Sequence, residues 1–210
     1  MTTYAVIDFE TTGLSPTHGA RPTEIAAVLV RDGQIVDHYQ SLMNAGVPVP
    51  WDIQQFTGIT NDMVRQAPPV DVVMAEVIGF VGAYPIVCHN AAFDRKFWEH
   101  EARLLRSAEQ NAFVCSLLLA RRVFPEAPNH KLATLVRALG LPSSGTFHRA
   151  LADAECTAHL LIRLEQALCE RYGLPGVDPG LLLALQRASK HQLGRCVSAY
   201  GAEAHPQVMR

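Results

Sequence analysis

The sequence is poor in charge and poor in any excess of one sign. Only 18% of its 210 residues are charged, 18 basic against 20 acidic, for a net charge of -2. No global positive field is available to hold long duplex nucleic acid by its phosphates, so any such contact must be local. Long apolar runs are also missing. The most apolar later stretch, Leu181 to Leu185, is far below the ~20 residues that span a bilayer. The start, Met1-Thr2-Thr3-Tyr4, has no basic segment, and its apolar run is interrupted by Asp8 and Glu10, unlike a secretory signal. The five cysteines, Cys88, Cys115, Cys156, Cys169 and Cys196, are odd in number and form no Cys-x-x-Cys pair. A disulfide frame or zinc site is thereby disfavoured, and reduced thiols in a cytoplasmic protein are expected. Proline and glycine stand near average usage, at 13 and 14 residues, which excludes collagen-like or low-complexity character.

What is present is apolar material for a core, 49% of the chain, at a length that suits one domain or one domain with an appendage. Tyr4 to Glu10 reads as a strand stopped by turn-rich Thr11 to Pro16. Glu24 to Arg31 and Gln34 to Met43 flank Asp32-Gly33, a hairpin dipeptide, so three antiparallel strands are expected first. Thr60 is a plausible cap for a helix over 61–66, and the apolar spacing predicts another over 70–81. A buried strand at 85–88, a helix over 91–105, a strand at 113–115 and a helix through Arg122 follow. Helices over 131–139 and 149–167 are separated by a loop at 142–145, and a helical tail runs from Pro179 to about Gly194. This order indicates an α/β domain with a mixed five-stranded sheet flanked by helices. The expected division is 1–172 for the domain and 173–210 for a helical extension, packed on the domain or docking a partner.

Three groups of carboxylates stand out. Asp8 and Glu10 share one face of a strand, because side chains two apart project the same way. Paired acids there call for protonation or a cation, unless the strand end simply emerges into water. Thr11, Thr12 and Gly13 follow directly, and small hydroxyls with a glycine let a ligand approach the backbone. Asp94 lies in the first turn of a helix after His89-Asn90, at a strand end where α/β sheets bind ligands. Complementing the helix dipole is its plainer role. Asp153 shares a helical stripe with Thr157, Leu160 and Leu164, so it faces inward, and an inward acid needs a partner. His148 precedes it by five residues, where it could stand over a site or merely lie on the surface. All-oxygen ligands suit Mg²⁺ or Mn²⁺ rather than zinc, and two such ions can assist phosphoryl displacement. A histidine can deprotonate the attacking water near neutral pH.

Asp8 to Gly13 (DFETTG), His89 to Asp94 (HNAAFD) and His148 to Asp153 (HRALAD) resemble, in order and spacing, the three motifs of the DEDDh 3′–5′ exonucleases. The likeness spans residues 4–165 and is nearest to the epsilon-subunit and exonuclease X types. RPTEIAAV at 21–28, TGIT at 57–60 and CSLLLARRVFP at 115–125 support it. The resemblance implies a ribonuclease H-like fold and release of nucleoside 5′-monophosphates from a 3′ end, with a proofreading or repair role. It implies two Mg²⁺ or Mn²⁺ ions at Asp8, Glu10, Asp94 and Asp153, with His148 as general base. By the same match Thr11, Thr12 and Gly13 contact the terminal nucleotide, and His89 and Asn90 line the site. Thr57 stands where some epsilon-like members carry histidine, which leaves the terminal-base contact open. Arg149 occupies the position of the tyrosine in the tyrosine-type branch, which favours the histidine branch.

Phe56 and Phe93 are candidates for stacking on the terminal base, whereas Trp98 reads as packing. Arg95, Lys96, Arg121, Arg122, Lys131 and Arg149 could line a phosphate path, or be solvated helix faces. The expected partner is a single-stranded 3′ end, DNA ahead of RNA, with a polymerase or repair complex as a further partner. An exoribonuclease and a non-catalytic polymerase subunit are the rival readings. The sequence leaves the oligomeric state open, a homodimer included.

Overall fold

The Asp32-Gly33 pair sets the first half of the architecture. Both residues take left-handed backbone, at φ 48° and 77°, which gives a hairpin turn whose twist matches its strands. It joins β2 (Pro22–Arg31) to β3 (Gln34–Leu42), and β2 pairs antiparallel with β1 (Thr3–Thr11). β4 (Ile86–Cys88) and β5 (Phe113–Cys115) then add in parallel, giving the order β3-β2-β1-β4-β5. The computed structural model describes residues 2–107, 111–143 and 148–204.

The pleat of β1 sorts its residues onto two cores. Ala5, Ile7 and Phe9 pack with Val73, Val77 and Phe97 of α3 (Val70–Val81) and α4 (Ala91–Leu104). Tyr4 and Val6 face the other way, against α7 (Ala150–Tyr172). Ala150, Ala154 and Ala158 recur every four residues on α7 and are buried, so the helix backbone can approach the sheet closely. Leu161, Leu164 and Leu168 continue that stripe, each fully buried and worth ~1.5–3 kcal/mol.

Thr60 caps α2 (Asn61–Gln66) through its hydroxyl, which accepts the Met63 N–H at 3.2 Å. Helix α1 (Trp51–Thr57) lacks a sequence signal: Pro50 precedes it, no side chain caps it, and only Thr57 is buried. The expected loop at 142–145 lies partly outside the described residues. α5 (Ser116–Val123) and α6 (Leu132–Leu139) follow expectation.

The tail departs from the single helix expected over 179–194. It breaks after α8 (Pro179–Leu185) and resumes as α9 (Leu193–Ala204). Arg122 donates to the Ala188 carbonyl at 2.6 Å and Ser189 is extended, so the helix cannot continue. Gln186 bonds both backbone groups of the outer strand β5, accepting from Cys115 N–H (2.7 Å) and donating to the Phe113 carbonyl (3.1 Å). Leu181, Leu182, Leu185 and Leu193 join the core beside α7. The tail thereby covers a sheet edge that would otherwise expose unpaired backbone.

Candidate active site

Strand β1 carries Asp8 and Glu10 past the end of its short parallel neighbour. Ala5 still donates to the Pro85 carbonyl, but β4 is three residues long. The Phe9 N–H, on the same edge, instead finds the Asp94 carboxylate at 3.2 Å. Asn90 makes this possible: it takes left-handed backbone (φ 76°, ψ 52°) between β4 and α4, a conformation asparagine tolerates, and swings the first turn of α4 over β1. Asp94 is 2% exposed.

The third contribution comes from the start of α7. His148 also has left-handed backbone, φ 68°, and its N–H donates to Asp153 Oδ2 at 3.0 Å. Ligand atoms of Glu10, His148 and Asp153 all lie within 4.8 Å of one another. Asp153 Oδ1 is buried without a hydrogen-bond partner. Glu24 lies opposite Glu10 on β2, on the same face, completely buried.

So many carboxylates cannot share one buried place as free anions. Burial, and then the charges of Asp94, Asp153, Glu10 and Glu24, raise Asp8 well above the carboxylate range. Burial with Asp153, Glu24 and Asp94 brings Glu10 to about 8, against the pull of Arg149. Asp94 is raised to about 7 by burial, despite the N–H of Phe9, and Asp153 is raised for the same reason. These are the marks of acids short of positive charge. The donor set is all oxygen apart from the imidazole, and one buried oxygen is orphaned. A hard divalent cation fits both facts.

Two cavities flank the acids. One, of about 1030 Å³, is lined by Asp153, His148, Asn90, Arg121 and Lys131 among others. The other, of about 510 Å³, is lined by Glu10, Thr11, Thr12, Gly13, Thr57 and Phe93 among others. Phe56 lines both, and its ring centroid lies 3.9 Å from that of His148. The structure thus groups Asp8, Glu10, Asp94, His148 and Asp153 and places the other expected substrate contacts on one or other cavity, though several are less free than expected. Thr11 donates its hydroxyl to the Gly13 carbonyl (2.7 Å), whereas Thr12 accepts from the Arg21 N–H (2.9 Å) and keeps a proton to offer. Thr57 spends its hydroxyl on the Ile53 carbonyl and the Ile59 N–H. His89 is a structural tie: its ring bonds Ser116 Oγ (3.0 Å) and the His130 carbonyl (2.9 Å), and burial lowers it to about 4.

Of the six basic residues left open between a phosphate path and solvated helix faces, four are engaged elsewhere. Arg149 is locked in a two-pronged ion pair with Glu24, Arg122 holds Leu118 and Ala188 carbonyls, and Arg95 pairs with Glu99. Lys96 donates to the Leu14 carbonyl and sits 5.3 Å from the Phe93 ring. Arg121 and Lys131 alone of the six line the larger cavity. Phe93 is half-buried, 5.2 Å from Phe97, and still lines the smaller cavity; Trp98 is core. Glu24 is a site neighbour that the motifs do not include. Its signal in the sequence is a lone acid inside the apolar strand Thr23 to Val30.

A family model for the RNase T exonucleases matches residues 5–161. The chain belongs to this exonuclease family. Its three carboxylate motifs and its fold are those of the DEDDh type within that family. The chain is 38% identical over 172 residues to DNA polymerase III PolC-type of Bacillus cereus, covering 80% of this chain and 12% of that protein. It is 38% identical over 203 residues to a putative bifunctional exonuclease/endonuclease protein of Mycobacterium tuberculosis, covering 93% of this chain and 31% of that one. The chain thus spans a minor part of these relatives' length. Among solved structures, exonuclease X in complex with 5′ overhanging duplex DNA superposes with a TM-score of 0.63 at 27% identity. That match covers 92% of this chain and 98% of exonuclease X. The nuclease domain of 3′hExo, a DEDDh family member bound to rAMP, shares the fold at TM-score 0.68 and 23% identity, covering 84% of this chain and 96% of that one. No helix among the described residues is long and apolar enough to cross a membrane.

Proposed function

We propose that the protein is a 3′–5′ exonuclease releasing nucleoside 5′-monophosphates from single-stranded DNA ends. The observation that carries this is the convergence of Asp8, Glu10, Asp94 and Asp153 from three segments, beside one imidazole and two flanking cavities. The four carboxylates would hold two Mg²⁺ or Mn²⁺ ions, and ions so held stabilise the attacking and leaving oxygens of a phosphoryl displacement. His148, within 4.8 Å of Glu10 and Asp153, accepts the proton of the attacking water. Thr12 and the backbone around Gly13 receive the terminal nucleoside in the smaller cavity, with Phe56 and Phe93 against its base. The remaining strand leaves through the larger cavity past Arg121 and Lys131.

DNA is favoured as substrate by the relatives, DNA polymerase III PolC-type and the DNA-bound exonuclease X. A proofreading or repair role beside a polymerase fits the polymerase relatives. The catalytic unit is assigned to residues 1–172 and the extension to 173–210. Five free cysteines suit a reducing cytoplasm.

The test is digestion of matched 5′-labelled single-stranded DNA and RNA with Mg²⁺, Mn²⁺ or chelator. Stepwise shortening of DNA from its 3′ end, abolished by chelator, is expected. Faster RNA shortening would transfer the assignment to an exoribonuclease. No shortening of either would leave a non-catalytic subunit.

A further inference from the structure

We infer that the ion pair between buried Glu24 and half-exposed Arg149 is a positioning clamp that sets where the His148 imidazole stands over the acid cluster. The functional consequence rests on the assignment of His148 as the general base. The geometry does not.

Glu24 is saturated. Its Oε1 accepts from Arg149 Nη2 and Gln40 Nε2, both at 2.8 Å. Its Oε2 accepts from Arg149 Nε and the Ala150 N–H, both at 3.1 Å. β2 and β3 thereby grip the first residue of α7 and the one before it. A planar guanidinium fixes direction as well as distance, because its two prongs match the two carboxylate oxygens.

Arg149 lies between His148, one residue back, and Asp153, four residues on. Those two are joined by the His148 N–H to Asp153 bond. His148 holds a left-handed backbone that disfavours a non-glycine residue by roughly 1–2 kcal/mol, so neighbours must enforce it. In that conformation the imidazole faces the Phe56 ring at 3.9 Å and Glu10 and Asp153 on its other approaches.

Stability alone is a poor reason for the pair. Only the Glu24 side chain is buried, Arg149 being 39% exposed, and an ion pair that desolvates a carboxylate commonly returns little net stability. This one also adds a fifth carboxylate beside Glu10 and Asp8, where its charge is unfavourable. What the pair returns is a fixed origin for α7 next to the chemistry.

The experiment compares wild type with Arg149→Lys, which keeps the charge and loses the fork. Three quantities are measured: thermal melting, the His148 ring-proton shifts in metal-free protein, and kcat and KM on an oligonucleotide. Phe56→Ala identifies the part of the shift due to its ring current. Arg149→Lys is expected to fold, to lose that ring-current shift, and to lose kcat on the order of 10²-fold with KM little changed, as ~1 Å misplacement would. A lower melting temperature with shift and kcat retained would overturn the clamp. Should Arg149→Lys fail to fold, Glu24→Gln is read by the same measures. Wild type that cleaves no oligonucleotide would sink the exonuclease assignment, yet the ring-proton shifts would still decide the clamp.

Discussion

The Asp94 carboxylate accepts the Phe9 backbone N–H at 3.2 Å, so an acid from α4 is bonded into β1 between Asp8 and Glu10. The carboxylate thus helps to hold the fold as well as joining the acid cluster. Asp94→Asn retains an acceptor for Phe9 and relieves the crowding of acids. Its melting temperature should equal or exceed that of wild type, although a first-turn charge worth ~0.3–1 kcal/mol is lost. Nuclease activity should fall by on the order of 10²–10³-fold, as for removal of one preorganised electrostatic partner. Melting curves and single-turnover rates check both halves. A joint fall would mean that Asp94 acts mainly by holding the fold.

His148→Ala removes the proposed proton acceptor without touching the carboxylates. The rate should drop about 10²–10⁴-fold, the usual contribution of a positioned general base. Metal affinity should change much less than in Asp8→Asn. Titrating Mn²⁺ by calorimetry against both variants separates a base from a ligand, a distinction made necessary by the closeness of His148 to Glu10 and Asp153.

Asp8 and Glu10 are legible in the strand pattern, because two-residue periodicity places both on one face. Asp153 is legible from its helical stripe, and Asp94 from its place after a buried strand. Long-range pairing is not. Nothing near Arg149 in the sequence announces a partner 125 residues away on β2, and the same holds for Arg21 and Glu101. Arg122 likewise reads as solvated, although the tail supplies it with the Ala188 carbonyl. Short helix α1 leaves no trace in the pattern because it has one buried residue and no cap, so no periodicity accumulates. Local patterns report faces; they cannot report which distant group a charged side chain will meet.

Divalent metal should stabilise the protein through the acid cluster. Binding only to the folded state adds about 2.7 kcal/mol at a hundred times Kd. Mg²⁺ or Mn²⁺ should therefore raise the melting temperature of wild type, and much less that of Asp8→Asn. Equal rises in the two proteins would place the bound ions elsewhere.

Phe56 is 59% exposed and lines both cavities beside the acids, so its ring is open to a base. Stacking on a base is worth ~1–3 kcal/mol. Phe56→Ala should raise KM about 5- to 150-fold for single strands while leaving the fold intact. Phe56→Tyr should restore most of the loss. Unchanged KM in Phe56→Ala would exclude contact between this ring and the substrate.

Far from the site, Glu165 on α7 is raised by burial to about 7, while the Tyr4 hydroxyl, buried without a partner at hydrogen-bond distance, faces it and Cys169 lies one turn on. The folded state therefore keeps a proton that the unfolded chain releases near the ordinary glutamate value of 4.5. The proton's contribution is fully present below 4.5 and is lost as pH rises through about 7. Glu165→Gln keeps the shape and cannot ionise. Relative to wild type it should be near neutral at acid pH and gain steadily across that window, levelling above it. Because the carboxyl is partly screened by solvent, the gain should reach only about 1–2 kcal/mol. Melting temperatures of the two proteins across the range check this, and a difference that shrinks as pH rises would reverse the sign.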